Sequence, residues 1–135
     1  MSETADWKQK YRDSLRETEA EEKRWREVEQ VLRRLIGRLC AAALRAGDFV
    51  ARIGGEEFAV LLHGLRLPDA VNIANQVRTA VQGLRFHFRG TPVRITASCG
   101  ITELTREDAS EQAFDRADAA LYRAKSGGKN LCIAA

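Results

Sequence analysis

Apolar and weakly polar residues recur in steps of four and three between residues 7 and 39. This spacing places them on one face of a helix and predicts a heptad seam. Opposite charges flank the seam one helical turn apart, at Glu22 and Arg26 and at Glu29 and Arg33, which supports a helix. The seam is firmly apolar only in its second half, and its positions are Trp7, Tyr11, Ser14, Thr18, Glu21, Trp25, Val28, Leu32, Leu35 and Leu39.

Two arrangements suit this helix. It is either one amphipathic helix lying on the rest of the protein or a coiled coil that joins two chains. The helix would extend about 55 Å at about 1.5 Å per residue, more than a small head can cover. We therefore predict that residues 1–42 form a helical coiled-coil stalk in front of a separate head.

The head, residues 44–135, alternates short β-like runs with two helical patterns. Gly54 and Gly55 separate the first two runs and predict a hairpin with a two-residue turn. Ser110 is the predicted N-cap of the second helix. Helices interleaved with about five strands indicate an α/β layered head. The predicted strands are 49–53, 57–62, 84–88, 93–103 and 130–134, the predicted helices are 68–81 and 110–125, and residues 90–92 form a turn.

Length and composition narrow the class of protein. The chain has 135 residues and a net charge of +3, with 22 basic and 19 acidic residues. This small positive excess does not by itself indicate binding of nucleic acid. No apolar run is long enough to span a membrane, and the first residues lack the apolar stretch of a signal peptide, so we expect a cytoplasmic protein. The three cysteines, far apart in sequence among apolar neighbours, are expected to be buried reduced thiols. No zinc site is expected, because neither of the only two histidines, His63 and His87, lies at ligand spacing from a cysteine.

The segment Gly54-Gly55-Glu56-Glu57 carries the most specific chemistry. Glycines at a hairpin tip let a ligand approach the backbone, and carboxylates beside them offer the oxygen ligands that Mg²⁺ prefers. Neighbouring strand residues face opposite sides, so Glu56 and Glu57 are expected to have different roles. The alternative is an ordinary glycine turn followed by solvated glutamates.

Two lysines flank the glycine pair that ends the second helix. Lys125 and Lys129 either complement the negative C-terminal end of the helix dipole or hold phosphate groups as mobile point charges.

Arg45 and Asp48 stand three residues apart just before the first strand. Such a pair most often forms a local surface ion pair that contributes little. It could also grip a guanine edge, with Arg45 donating and Asp48 accepting.

Taken together and in this order, these motifs resemble the GGDEF family of diguanylate cyclases. The resemblance covers residues 44–135, and its parts are highly specific only in combination. They are R-A-G-D at 45–48, G-G-E-E-F at 54–58, S-C-G-I-T at 98–102, A-D-A-A-L-Y-R-A-K at 117–125 and G-K-N at 128–130.

The resemblance implies a nucleotidyltransferase that joins two GTP molecules into cyclic di-GMP with Mg²⁺ or Mn²⁺. It makes Glu56 the metal ligand and the group that activates the 3′-hydroxyl, with Gly55 and Glu57 lining the nucleotide site. Arg45 and Asp48 would bind the inhibitory product, while Lys125 and Lys129 would hold the triphosphate. Each head would bind one GTP, so a homodimer through the stalk suits the reaction.

The chain departs from the family pattern in its first half. The strand that carries the other metal-binding Asp and the guanine-reading segment are not found, and the second inhibitory arginine falls at Gln76, with Arg78 close by. Hence the head is expected to miss its first half. An internal deletion, a natural remnant and a strand supplied by another chain remain open. The alternative function is an inactive module that binds cyclic di-GMP or dimerises.

Overall fold

A computed structural model describes residues 3–54, 56–88 and 90–135, with the side chains of all these except 3–7, 25 and 88. Gly55, and the side chains of Trp7 and Trp25 in the heptad seam, therefore lie outside the described part. The predicted combination of an α/β head and a long N-terminal helix is confirmed. The elements are α1 (Glu3–Ala43), β1 (Phe49–Arg52), β2 (Phe58–Leu61), α2 (Leu67–Gln82), β3 (Phe86–Phe88), β4 (Thr91–Val93), β5 (Cys99–Ile101), α3 (Ser110–Ser126) and β6 (Cys132–Ala134).

Helix α1 confirms that the hydrophobic pattern of this segment forms a helix. Both flanking ion pairs form, with 3.6 Å between Arg26 and Glu22 and 3.3 Å between Arg33 and Glu29. The chain divides into two compact units after Leu35, so the last turns of α1 group with the head. The coiled coil and the division into residues 1–42 and 44–135 stay predictions. None of the described helices is both long enough and apolar enough to cross a membrane.

Strands β1 and β2 form the predicted antiparallel hairpin, but not its two-residue turn. The register pairs Phe49 with Leu61 and Arg52 with Phe58, so residues 53–57 all belong to the connection. The N–H of Ile53 donates to the carbonyl of Glu57 over 3.0 Å and closes the loop at five residues. Glu57 consequently lies in the loop, and the expectation that Glu56 and Glu57 occupy opposite faces of a strand is wrong.

The predicted strand 93–103 is two strands with different partners. β4 pairs antiparallel with β3, whereas β5 pairs parallel with β6, and residues 94–98 belong to neither strand. Thr91 and Pro92 belong to β4, not to a turn. Proline within a sheet is confined to edge strands, and both strands of this two-stranded sheet are edge strands.

Helix α3 connects the parallel strands β5 and β6, which makes a β-α-β unit. The N-cap is Ala109, not Ser110 as predicted. Ala109 has extended backbone angles, and its N–H donates to the side-chain oxygen of Gln112 over 3.1 Å. Gln112, three residues after the N-cap, therefore accepts the hydrogen bond that stabilises the N-terminus of α3.

The core of the head is small and rich in alanine. Gly100 on β5 lies directly against α3, where a Cβ atom would overlap the carbonyl oxygen of Ala117 and the backbone nitrogen of Leu121. The absence of a side chain at this position lets the helix pack onto the strand. Among the described residues, the buried ones are Cys40, Ala70, Val81, Ala113, Ala120 and Ala124.

The three cysteines are free, and the fold brings together two that are distant in sequence. Cys99 and Cys132 are register partners on β5 and β6. Burial, together with the neighbouring Cys132 thiol, raises the pKa of Cys99 to about 12. Cys40 is buried as predicted, whereas the other two are only half-buried. The sequence indicated reduced thiols but gave no sign of this pairing.

Candidate functional site

The loop between β1 and β2 presents the two glutamates to solvent. Glu56 and Glu57 are both exposed, and Gly55 lies outside the described residues. The base of the loop is fixed by the bond from Ile53 to Glu57, and Arg52 Nε donates to the carbonyl of Gly54 over 3.2 Å. The loop therefore holds its backbone by its own hydrogen bonds and leaves the Glu56 carboxylate available for a ligand.

The acidic residues do not form a metal site on their own. Within the described ranges, no group of three or more His, Cys, Asp or Glu side chains lies close enough to hold an ion. Mg²⁺ commonly binds to one or two carboxylates and completes its shell with substrate phosphates and water. Glu56 fits that pattern as a single carboxylate, so these residues suit a metal that arrives with a nucleotide.

Arg45 and Asp48 form a clasp at the open end of the hairpin. Asp48 accepts from the backbone N–H of Arg45 over 2.9 Å and from the backbone N–H of His63 over 2.8 Å. The Arg45 guanidinium donates to Asp48 and also to the His63 carbonyl over 2.6 Å. The clasp therefore joins the residues before β1 to those after β2.

The clasp engages both oxygens of Asp48, whose side chain has 0% of its surface exposed. The backbone N–H groups of His63 and Arg45, followed by the Arg45 side chain, lower the pKa of Asp48 to about 2. A guanine edge would need these same oxygens as acceptors. The geometry thus agrees with the local ion pair, and binding of cyclic di-GMP by Arg45 and Asp48 stays a prediction.

Lys125 and Lys129 lie together at the C-terminal end of α3, away from the clasp in sequence. Both are exposed. Lys125 belongs to the last helical turn, and Lys129 follows in a turn where its φ of 64° is in the left-handed region. The two lysines are therefore presented from one helix end, while Glu56 and Glu57 are presented from the hairpin loop.

The clasp and the glutamate loop lie at opposite ends of β1. Asp48 precedes this strand of four residues, and the loop follows it. A strand rises about 3.3 Å per residue, so β1 separates the two motifs by about 13 Å. The residues predicted to be catalytic and those predicted to be inhibitory thus lie at opposite ends of one hairpin.

A side-chain network around Arg116 was not identified from the sequence. This guanidinium donates to both carboxylate oxygens of Asp108, over 2.8 and 2.6 Å, and to the hydroxyl of Thr102 over 3.0 Å. The bonds from Arg116 hold the pKa of Asp108 well below its usual range. The network ties α3 to the end of β5, and nothing in the local spacing of these residues indicates it.

A second unanticipated network joins α2 to the lysine turn. Arg78 on α2 donates to the side-chain oxygens of Asn75 and Asn130, each over 3.0 Å. The backbone N–H of Asn130 donates to the hydroxyl of Ser98 over 3.1 Å. The arginine near the expected inhibitory position is therefore engaged with the turn that carries Lys129, and Gln76 is exposed.

Comparison with protein families matches residues 26–131 to the family described as "Diguanylate cyclase, GGDEF domain". The match begins at residue 26, inside α1. The resemblance of the motifs begins only at residue 44. The family match therefore includes the last turns of the helix, which also group with the head by their contacts.

Individual relatives point in the same direction. Diguanylate cyclase DgcP of Pseudomonas aeruginosa is 44% identical over 102 residues, which are 76% of this chain and 15% of that protein. The structure of diguanylate cyclase SiaD from the same species, solved with its activator SiaC, matches 74% of this chain and 38% of its own, with 39% identity and a TM-score of 0.69. The coiled coil and GGDEF domain of DgcB from Caulobacter crescentus, solved with c-di-GMP, match 77% of this chain and 56% of their own, with 28% identity and a TM-score of 0.72. The chain thus spans less than two thirds of each relative.

Proposed function

The chain belongs to the GGDEF family of diguanylate cyclases, and on that premise we propose that its head binds GTP and condenses two GTP molecules into cyclic di-GMP and two pyrophosphates. The observation that carries the proposal is the loop 53–57, which is closed by its own backbone and presents Glu56 to solvent. The product named with the DgcB structure supports the choice of nucleotide.

In the proposed reaction, the glutamate loop and the two lysines have separate roles. The 3′-oxygen of one GTP forms a bond to the α-phosphorus of the other, pyrophosphate leaves, and a second transfer closes the ring. Glu56 orients the 3′-hydroxyl and takes its proton, while Gly55 and Glu57 line the nucleotide. Lys125 and Lys129 balance the charge of the triphosphate as point charges.

A divalent metal suits this site only together with the nucleotide, because Glu56 offers a single carboxylate. When bound, Mg²⁺ or Mn²⁺ would offset the charge that develops on the attacking and leaving oxygens. The protein's own part is to place Glu56 beside the 3′-hydroxyl. We expect the reaction to take place in the cytoplasm, where GTP is available.

Two heads must meet because each binds one GTP. We propose that the heptad seam of α1 joins two chains as a coiled coil and so raises the local concentration of the second head. The coiled coil named with the DgcB structure supports this arrangement. Sedimentation of the whole chain should give a dimer, and a monomer at high micromolar concentration would contradict it.

A second candidate is a head that binds nucleotide without catalysis. It is favoured by the lack, within the described part of the chain, of any acidic cluster that could hold a metal by itself. In this case Arg45 and Asp48 would bind cyclic di-GMP, after the clasp with His63 opens. In the active form the same binding would inhibit the enzyme.

The deciding experiment is incubation of the whole chain with GTP and Mg²⁺, followed by chromatography for cyclic di-GMP. We expect product, and we expect Glu56→Gln to abolish it without lowering the unfolding temperature, because Glu56 is exposed. Glu111→Gln, an exposed carboxylate on α3, is the matched control and should retain activity. No product at high protein concentration would exclude the active form, and heat on titration with cyclic di-GMP would then support the binding module.

A further inference from the structure

The turn between α3 and β6 places Lys129 in a backbone conformation that is unfavourable for a lysine. Lys129 and Asn130 have φ values of 64° and 52°, and Gly128 before them has a φ of 118°. The left-handed region suits glycine and is tolerated by asparagine, but a lysine there is disfavoured. Such a conformation persists only where the surroundings fix it.

The surroundings fix this turn from three sides. The N–H of Lys129 donates to the carbonyl of Ala124 over 3.0 Å, which ties the turn to its own helix. The N–H of Asn130 donates to Ser98 Oγ over 3.1 Å, just ahead of β5. Arg78 Nη1 donates to Asn130 Oδ1 over 3.0 Å and reaches the turn from α2, 52 residues away.

Arg78 is held in turn by a second bond. Its Nε donates to Asn75 Oδ1 over 3.0 Å, on the same face of α2. A guanidinium is a rigid planar fork, so the bond to Asn75 fixes the direction in which Nη1 points. A lysine at this position would keep the charge but lose the fork, because its single nitrogen sits on a flexible chain.

We propose that Arg78 is a positioning residue for the phosphate-binding lysines: it fixes Asn130 and thereby the strained turn that presents Lys129. This inference rests on the proposed function, in which Lys125 and Lys129 hold the triphosphate. Arg78 acts through Asn130 and does not touch the nucleotide. The half-buried Arg78 and Asn130 thus set the backbone beneath an exposed lysine.

The test separates geometry from charge with Arg78→Lys on the whole chain. Binding of inorganic triphosphate is measured by calorimetry at constant ionic strength, and hydrogen exchange of the Asn130 amide is measured by NMR. We expect affinity for triphosphate to fall about tenfold, the usual size for a lost bond to a charged group, and the amide to exchange faster. Arg85→Lys, an exposed arginine just beyond α2, is the matched control and should change neither quantity.

A double variant identifies the partner. If Arg78 acts through Asn130, Arg78→Lys combined with Asn130→Ala should bind triphosphate no more weakly than Asn130→Ala alone. Additive losses, or an Arg78→Lys variant that matches the wild-type affinity, would overturn the positioning role while leaving the proposed function intact. A wild-type chain that does not bind triphosphate would remove the lysines from the proposed function, and the positioning role would fail with it.

Discussion

The β1–β2 hairpin and the β5–α3–β6 unit carry the two halves of the proposed site but are stabilised in different ways. In the β-α-β unit, buried alanines and Gly100 bring helix and strand into close contact, and the Arg116 network ties their ends. In the hairpin, Phe49, Val60 and Leu61 are exposed. Its open end is joined by the Asp48 clasp, and the Phe58 ring lies near Gly37 of α1.

Because of this difference, we expect the two halves of the proposed site to tolerate different substitutions. The lysines are presented from a unit whose packing fixes its backbone, so their positions depend on the core. The glutamates are presented from a hairpin whose open end is held by polar contacts of Asp48, so the stability of that end depends on one aspartate and its charge. Stability and activity should therefore respond to different substitutions in the two regions.

The largest effect is expected from Gly100→Ala in the β-α-β unit. The added methyl group would overlap the backbone of α3, which cannot yield by a rotamer change. Overpacking of this kind should lower the free energy of unfolding by about 2 kcal/mol or more, measured by urea denaturation.

Gly37→Ala provides the matched control for that substitution. Its methyl group would meet the Phe58 ring at 3.5 Å, an ordinary contact, and alanine favours a helix over glycine. We expect a gain of up to about 1 kcal/mol. Equal losses from both variants would show that close packing at Gly100 is not what stabilises this unit.

An intermediate effect is expected from Asp48→Ala, which removes the clasp from the hairpin. The folded-state pKa of Asp48, about 2, lies below its ordinary value of 3.8. The clasp therefore stabilises the fold fully above about pH 4, and this contribution is lost as the pH falls towards 2. The variant should unfold at a lower temperature at pH 7 and show a weaker dependence on pH between 4 and 2.

The His63 amide reports the clasp directly, because its N–H donates to Asp48. The protection of this amide against hydrogen exchange, taken relative to the unfolded-chain rate at the same pH, should fall in Asp48→Ala and in the wild type near pH 2. Asp115→Asn, an exposed carboxylate on α3, serves as the control. An unchanged His63 amide would mean that the hairpin is closed by contacts other than the clasp.

The smallest effect is expected from Phe49→Thr on the hairpin. Phe49 is 59% exposed, and threonine is compatible with a β-strand. The free energy of unfolding should change by no more than about 0.5 kcal/mol, in spite of the large side chain removed. A loss several times larger would show that this face of the hairpin is covered in solution, for example by a second chain.

The sequence predicted the elements whose signals are local. α2 extends over Leu67–Gln82 against a prediction of 68–81, because the periodicity of its apolar residues is regular. The hairpin follows from two short apolar runs around a glycine pair. The stretch 93–103 was predicted as one strand because its pattern does not reveal that β4 and β5 pair with different partners.

The contacts that hold the candidate site were beyond local reasoning. Asp48 accepts a hydrogen bond from the backbone N–H of His63, which lies 15 residues further along the chain. Arg78 donates to Asn130, which lies 52 residues further along. Motif spacing identified Arg45, Asp48 and Lys129 as candidates, but it could not show which of their polar groups are already engaged. Such partners are set by the packing of α2, α3 and the sheets, which a single sequence does not specify.

The connectivity of the two regions also sets the order in which they assemble. The hairpin closes over a loop of five residues, and hairpins of this kind form in about 1–10 μs. The parallel pairing of Cys99 with Cys132 must close 33 residues (132 minus 99), which is slower because more chain entropy is lost before the contact is made. We therefore expect the glutamate loop to form earlier in folding than the lysine turn, whose bonds from Asn130 to Ser98 and Arg78 join residues distant in sequence.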